Sequence, residues 1–360
     1  MNLLISGGGT GGHIFPALAV WKALKQLSPH SQCFWLITKR GEGRILKREG
    51  LEHDELPIQP LRVHPGSVFP LLQSYVQALR RVKEKKPTAC LGTGGYASLP
   101  GILASFTCRV PVVLLEQNVL PGKATHFLSR WAYAVCVSYP ETAKHLPEGA
   151  RTVVTGNPIR EEVNKTGRGE AGAHFGLRDD TLHLLISGGS QGASAINRAV
   201  VEAFRRGFNS EEGKGVRVEV LHQTGSADEE PMKKVWGDMG IPAVVKAFFD
   251  DMPLALAAAD ILIGRAGAST LAEIAVQGLP SILIPYPYAG GHQEENARYF
   301  EKHSAAVMIP QKEGWEKKLT EALWGLITEE NRRAELSKRV QSLARPQAAE
   351  DIARLLLHVR

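Results

Sequence analysis

The sequence has no apolar run of the roughly 18 residues that a membrane-crossing helix requires. The best stretch, 96–108, is too short and contains Pro100. Its four cysteines, Cys33, Cys90, Cys108 and Cys136, show neither a C-x-x-C pair nor any metal-ligand spacing. They read as buried free thiols in a reducing compartment, not as a disulfide framework or a zinc site. No Asp-x-Asp triplet for a nucleotide-bound metal occurs, so neither a metal nor a cofactor is expected. A charged-then-apolar leader is missing as well, because Met1-Asn2 runs straight into Leu3-Leu4-Ile5; export is not expected.

What is present fits a globular α/β protein. At 360 residues the chain exceeds what one compact core supports, which points to two domains. The 43% hydrophobic and 22% charged fractions are ordinary for such domains. A formal net charge of +6 calls for an anionic partner: phosphates, nucleic acid or an acidic membrane surface. No aromatic-interleaved basic stripe or helix-turn-helix cue supports nucleic acid, and none is expected as a partner.

The run Leu3-Leu4-Ile5-Ser6-Gly7-Gly8 recurs letter for letter as Leu184-Leu185-Ile186-Ser187-Gly188-Gly189. Each copy is an apolar run, a glycine turn and then a helical pattern, the first unit of a doubly wound parallel-sheet domain. Further strands are predicted at 33–37, 88–91, 110–115, 134–137 and 153–155, and in the second half at 183–187, 216–221, 244–247, 261–264, 281–285 and 306–309. The expected domains are 1–158 and 159–342, with a hinge near 156–160 and a last helix, 343–360, that returns to the first domain. The polar, glycine-containing stretch 161–176 reads as a long insert next to the hinge.

Glycine-rich turns from strand to helix expose backbone N–H groups and the positive end of a helix, and so suit phosphate. Three occur: Ser6-Gly7-Gly8-Gly9-Thr10-Gly11-Gly12-His13, Gly92-Thr93-Gly94-Gly95-Tyr96 and Gly188-Gly189-Ser190-Gln191-Gly192. One such turn alone also serves tight strand–helix packing. A dinucleotide enzyme would place an acidic residue after the second strand to hold the ribose. Here Thr38-Lys39-Arg40 follows instead. In the second half, Arg265-Ala266-Gly267-Ala268 leads into Ser269-Thr270-Leu271-Ala272-Glu273, which offers N–H groups to a diphosphate and a carboxylate to a ribose diol. His292, Gln293 and Asn296 fall on one side of a later helix and suit sugar hydroxyls.

In this order and combination the motifs, with Glu116-Gln117-Asn118 and Gly156-Asn157-Pro158-Ile159-Arg160, resemble glycosyltransferase family 28, specifically its peptidoglycan UDP-N-acetylglucosamine transferases of the GT-B fold. The resemblance implies two Rossmann-like domains facing across a cleft. It implies inverting transfer of GlcNAc from UDP-GlcNAc to the C4 hydroxyl of MurNAc in undecaprenyl-diphosphate-MurNAc-pentapeptide (lipid I), giving lipid II. Donor contacts would come from Thr10, Gly11, Gly12, Asn118, Arg160, Ser190, Phe249, Ala268, Ser269, Thr270, Glu273 and Gln293. Among these, Glu273 would hold the ribose, the backbone around Phe249 the uracil, Ser190 and Arg160 the diphosphate, and Gln293 the GlcNAc hydroxyls. Acceptor contacts would come from Gly9, Gly94, Gly95 and Tyr96. The alternatives are another GT-B enzyme, such as a UDP-GlcNAc 2-epimerase or a glycolipid synthase, and a non-catalytic nucleotide-binding module.

An inverting transfer needs a base for the attacking hydroxyl. His13, at the end of the first turn, is the first choice and Glu116 the second. A lipid-linked acceptor also requires access to the inner face of the cytoplasmic membrane without a spanning helix. Val68, Phe69, Leu72, Tyr75, Val76, Leu79 and Val82 recur at helical spacing beside Arg80, Arg81 and Lys83, a pattern that suits an amphipathic helix on anionic lipid or an ordinary core helix with a solvated end. Cell-wall synthesis and division proteins are the implied protein partners.

Overall fold

The computed structural model describes every residue except 10, 40–41, 60–67, 209–212, 214, 289 and 360. The chain divides into two units, Met1–Arg160 with Arg345–Arg360, and Glu161–Ala344.

Among the described residues, the first unit is built on seven parallel strands: β1 (Asn2–Ser6), β2 (Gln32–Thr38), β3 (His53–Leu56), β4 (Ala89–Gly92), β5 (Val112–Glu116), β6 (Ala134–Val137) and β7 (Thr152–Val154), in the order β3-β2-β1-β4-β5-β6-β7. Successive side chains of a strand leave on opposite faces, so each apolar strand feeds two cores. Leu3, Ile5, Val113 and Leu115 pack with Ile14, Val20 and Leu24 of α1 (Gly11–Leu27) and with Ile352, Ala353 and Leu356 of the C-terminal helix (Ala348–His358). Leu4, Val112 and Leu114 pack on the other face. Their partners there are Ala78 and Val82 of α3 (Val68–Lys85), Ile102 and Ala104 of α4 (Leu99–Thr107), and Leu128 of α5 (Lys123–Leu128). Helix α2 (Glu42–Arg48) follows β2. Burial on both faces is why the central strands are continuous Leu, Ile and Val runs.

The described residues of the second unit carry six parallel strands: β8 (Leu182–Ser187), β9 (Val218–Gln223), β10 (Ala243–Lys246), β11 (Ile261–Gly264), β12 (Ser281–Leu283) and β13 (Val307–Met308), in the order β10-β9-β8-β11-β12-β13. Segment 161–176 is helical. Helices α6 (Glu161–Lys165) and α7 (Arg168–Phe175) bury Val163 and Ala171, and Gly176 ends α7 in the left-handed region at φ 68°. Two buried apolar residues among many polar ones suffice to dock these short helices, so the polar insert has structure of its own. The remaining helices are α8 (Ser194–Phe208), α9 (Glu229–Asp238), α10 (Met252–Ala258), α11 (Ala268–Gln277), α12 (His292–Lys302), α13 (Trp315–Thr328) and α14 (Glu330–Gln341).

Both strand orders reverse direction once, between β1 and β4 in the first unit and between β8 and β11 in the second. At such a switch point the loops leaving the two neighbouring strands diverge and open a crevice at the carboxyl edge of the sheet, where ligands of open α/β folds bind. The fold is therefore two Rossmann-like α/β units, each with one such crevice.

Candidate active site

The glycine turns lie at these switch points. In the first unit the turn after β1 lies between β2 and the turn after β4, with Gly7 N–H donating to Leu36 O of β2 at 3.1 Å and Thr93 N–H to Ser6 O at 3.0 Å. A Cβ on Gly7 would sit 1.7 Å from the Thr93 hydroxyl, so only glycine permits the two turns to approach this closely. The Glu42 carboxylate, buried at the start of α2, accepts the Gly9 N–H and, at 3.0 Å, the Thr38 hydroxyl. One N–H of the first turn is thus already paired with the protein's own anion. Thr10 lies outside the described residues; Gly11 and Gly12 are exposed at the start of α1.

His13 is the next residue of α1. Its Nδ1 stands 2.8 Å from the Thr93 carbonyl oxygen, which also accepts the Gln117 amide at 3.0 Å. A carbonyl can only accept, so Nδ1 carries the proton and Nε2 keeps its lone pair. Burial lowers the His13 pKa below its ordinary 6.5, against the raising effects of the Thr93 hydrogen bond and the Glu116 charge. Gly94 and Gly95, at φ +90° and +69°, bring the backbone against the ring: a Cβ on Gly95 would lie 3.4 Å from Nε2. A Cβ on Gly9 would come within 3.8 Å of the Tyr96 hydroxyl.

Glu116 ends β5, and its carboxylate is engaged by two backbone donors and one side-chain amide. Oε1 accepts from Asn118 N–H at 3.1 Å and from the Asn118 amide at 3.3 Å, while Oε2 accepts from Gly122 N–H at 3.0 Å. Arg160 belongs to the first unit, where its guanidinium stacks 5.2 Å from the Phe15 ring of α1.

In the second unit the turn after β8 packs on Thr224-Gly225, with Gly192 N–H donating to Gly189 O at 3.0 Å and Ser190 exposed at its tip. After β11, α11 starts at Ala268 with no side-chain cap on its first turn. The Ser269 hydroxyl there is buried without a hydrogen-bond partner. Unpaired N–H groups, a helix N-terminus and an unpaired hydroxyl together make a seat for an anion. Glu273, one and a half turns on, is 6% exposed. Phe249 is fully buried, and its N–H donates to Gln223 Oε1 at 2.9 Å.

Arg265 clamps the loops around this seat. Its Nη1 donates to Ile284 O at 3.0 Å, Pro285 O at 3.1 Å and Gln311 Oε1 at 2.6 Å, and the guanidinium lies 5.3 Å from the Tyr286 ring. Burial lowers its pKa from the ordinary 12.5, an effect opposed by Tyr286. Gln293 Oε1 accepts Tyr286 N–H at 3.0 Å. Asn296, grouped above with the sugar-facing residues, is fully buried, and its amide lies 3.5 Å from Ala266 O.

Sequence reasoning missed three residues that organise these edges: Glu42, Thr93 as the partner of His13, and Gln223. The last had a visible signal, since His222-Gln223-Thr224-Gly225 closes a strand with polar and small residues.

The N-terminal domain model of glycosyltransferase family 28 matches residues 3–137 and its C-terminal domain model residues 183–352. The chain is 36% identical to the UDP-N-acetylglucosamine--N-acetylmuramyl-(pentapeptide) pyrophosphoryl-undecaprenol N-acetylglucosamine transferase of Moorella thermoacetica, over 99% of this chain and 98% of that one. It is 37% identical to the Bacillus subtilis protein of the same name, over 97% of each chain. Among solved structures, Acinetobacter baumannii MurG superposes with a TM-score of 0.77 at 30% identity, covering 99% of both chains. The UDP-GlcNAc 2-epimerase of Neisseria meningitidis, at 14% identity, superposes with a TM-score of 0.72 over 99% of this chain and 100% of that one, a likeness of fold alone.

Proposed function

The chain belongs to glycosyltransferase family 28, and on that premise we propose that it moves GlcNAc from UDP-GlcNAc to the C4 hydroxyl of MurNAc in lipid I, forming lipid II with inversion. The observation that carries this reading is identity of 36% over 99% of the chain to an enzyme named for this transfer. The glycine turns at both switch points agree with it. Incubation with labelled UDP-GlcNAc and a lipid I analogue tests it. A labelled disaccharide lipid is the expected product; free GlcNAc or ManNAc without it would point to hydrolysis or epimerisation.

The acceptor side is assigned to the first unit, with Gly9, Gly94, Gly95 and Tyr96 lining it. The donor side is assigned to the second, with Ser190, Ala268, Ser269 and Thr270 at the diphosphate, Glu273 at the ribose, the Phe249 backbone at the base and Gln293 at the sugar. Gly11, Gly12, Asn118 and Arg160 are assigned donor contacts from the first unit. In the reaction the C4 hydroxyl gives its proton to His13 Nε2 as its oxygen bonds to C1 of GlcNAc. The C1–O bond to UDP breaks, and the departing diphosphate keeps that electron pair. Helix N-terminal N–H groups, the Ser269 hydroxyl and the Arg265 charge favour that negative charge. Glu116, engaged by three donors, serves better as a support for the Asn118 loop than as a base, and His13 is retained as the first choice.

The acceptor's lipid tail requires a peripheral stance on the inner face of the cytoplasmic membrane. Among the described residues no helix is long and apolar enough to cross it. Phe69, Leu72 and Val76 are exposed on α3 at 72%, 57% and 39%, whereas Tyr75 and Leu79 pack inward. The exposed three are the proposed lipid-facing residues, and cell-wall synthesis and division proteins remain the proposed partners there.

A further inference from the structure

The buried groups of the second unit support one more assignment. Gln223, the last residue of β9, is 2% exposed. Its strand lies between β8 and β10, and its side chain is bonded to the loops that leave both neighbours. Oε1 accepts the Phe249 N–H at 2.9 Å. Nε2 donates to the Gly189 carbonyl at 3.0 Å and lies 3.3 Å from the Ser187 hydroxyl. Ser187 Oγ in turn accepts the Gly189 N–H at 3.3 Å.

A primary amide is the one neutral side-chain group that accepts at one end and donates twice at the other. Gln223 uses both ends in a buried site, where an unmade hydrogen bond is costly. The β8 turn and the Phe249 loop are therefore tied to each other through one side chain, in addition to the backbone contacts that Thr224 and Gly225 make with Gly192, Lys246 and Ala247.

We propose that Gln223 is a positioning residue that sets the distance between the diphosphate-binding turn and the base-facing loop, so that a nucleoside diphosphate meets both loops at once. The assignment rests on the donor reading given above. A ligand that engages two sites gains affinity only when their spacing matches its own length. Gln223 then acts on the whole nucleotide and not on either fragment.

Calorimetric titration of the full chain with UDP and, separately, with uridine tests this, using wild type, Gln223→Met and Gln223→Glu. Methionine keeps the length without hydrogen bonds. Glutamate can still accept the Phe249 N–H but opposes a carboxylate to the Gly189 carbonyl. The expected result is a UDP affinity lower by about tenfold or more in both variants, the loss of one to two hydrogen bonds. Uridine affinity and the acceptor KM should stay near wild type, while the donor KM rises. Folded variants that bind UDP as wild type does would overturn the proposal, as would an equal loss for uridine and UDP. Should Gln223→Met not fold, the glutamate variant decides on the same readout. Wild-type protein that binds no UDP would instead overturn the donor assignment and this inference with it.

Discussion

His13 Nδ1 lies 2.8 Å from the carbonyl oxygen of Thr93, across the switch point of the first sheet. That one bond fixes the imidazole tautomer and aims a lone pair from Nε2. His13→Ala is expected to cut kcat by about 10²–10⁴, while UDP affinity in a binding titration stays near wild type. Unchanged turnover at saturating substrates would remove His13 from the mechanism.

The pH dependence follows from the direction of the same group's shift. Burial holds the folded His13 pKa below 6.5, so the imidazolium loses its proton before neutrality. kcat/KM is expected to rise with pH along an acid limb centred below 6.5. A limb centred above 7 would assign the titrating base to another group. Rates from pH 5 to 9 on a soluble acceptor analogue provide the check.

Gly95 guards the same nitrogen. Its φ of +69° strains any side chain there, and an added Cβ would rest in van der Waals contact with Nε2 at 3.4 Å. Gly95→Ala is expected to cost about 1–3 kcal/mol, because a positive φ with ψ 173° is a backbone region that almost only glycine adopts, and to lower kcat by pressing a methyl group against the ring. Melting temperature and kcat measured together separate the two effects: a stability loss with kcat intact would mean that Nε2 does not face the acceptor.

Acid stability of the second unit should depend on His222. Its Nε2 is 3.1 Å from Asn197 Oδ1, and its Nδ1 accepts the Trp236 indole at 3.0 Å, so both nitrogens are committed in the neutral form. Burial lowers its pKa to about 3, against the raising charge of Asp228. A depressed folded pKa means that the unfolded chain takes up the proton first. Its contribution is whole above pH 6.5 and is lost at about 1.4 kcal/mol per pH unit as pH falls from there toward 3. Urea midpoints measured against pH should show a shallower acid decline for His222→Leu. That variant should also be weaker at pH 7, because Asn197 and Trp236 lose their partner.

Much of this was legible in the sequence, for identifiable reasons. Strands such as 134–137 and 261–264 are buried on both faces and read as plain apolar runs. The repeated Leu-Leu-Ile-Ser-Gly-Gly run announced two similar units, and glycine runs marked turns because few other residues tolerate them. β3, with the sequence His53-Asp54-Glu55-Leu56, escaped notice: among the described residues it is an edge strand paired only with β2, and of its four residues Leu56 alone is buried. Glu42 and Gln223 act on Gly9 and Phe249, 33 and 26 residues away. Those meetings are created by strand order, which no local pattern encodes.

The basic residues of α3 divide in a way that the helical spacing alone did not reveal. Phe69, Leu72, Val76, Arg80 and Lys83 follow one another by three or four residues and are all exposed, forming a single stripe, apolar at one end and basic at the other. Arg81 points elsewhere: it bonds Glu52 and Glu84 at 2.8 Å each and pairs with Asp54. Its charge is spent on the protein. Reversing Arg80 and Lys83 to glutamate is therefore expected to abolish most salt-sensitive flotation with anionic vesicles, at about 1 kcal/mol for each lost cation and as much again for each added anion. Phe69→Ser with Leu72→Ser should weaken the binding that survives at high salt. Arg81→Glu would set a fourth carboxylate among three and is expected to lower the melting temperature, so it belongs in the experiment as a stability control. If the Arg80 and Lys83 variant floats as wild type does, α3 is a solvated helix, and the enzyme must reach its lipid by another surface.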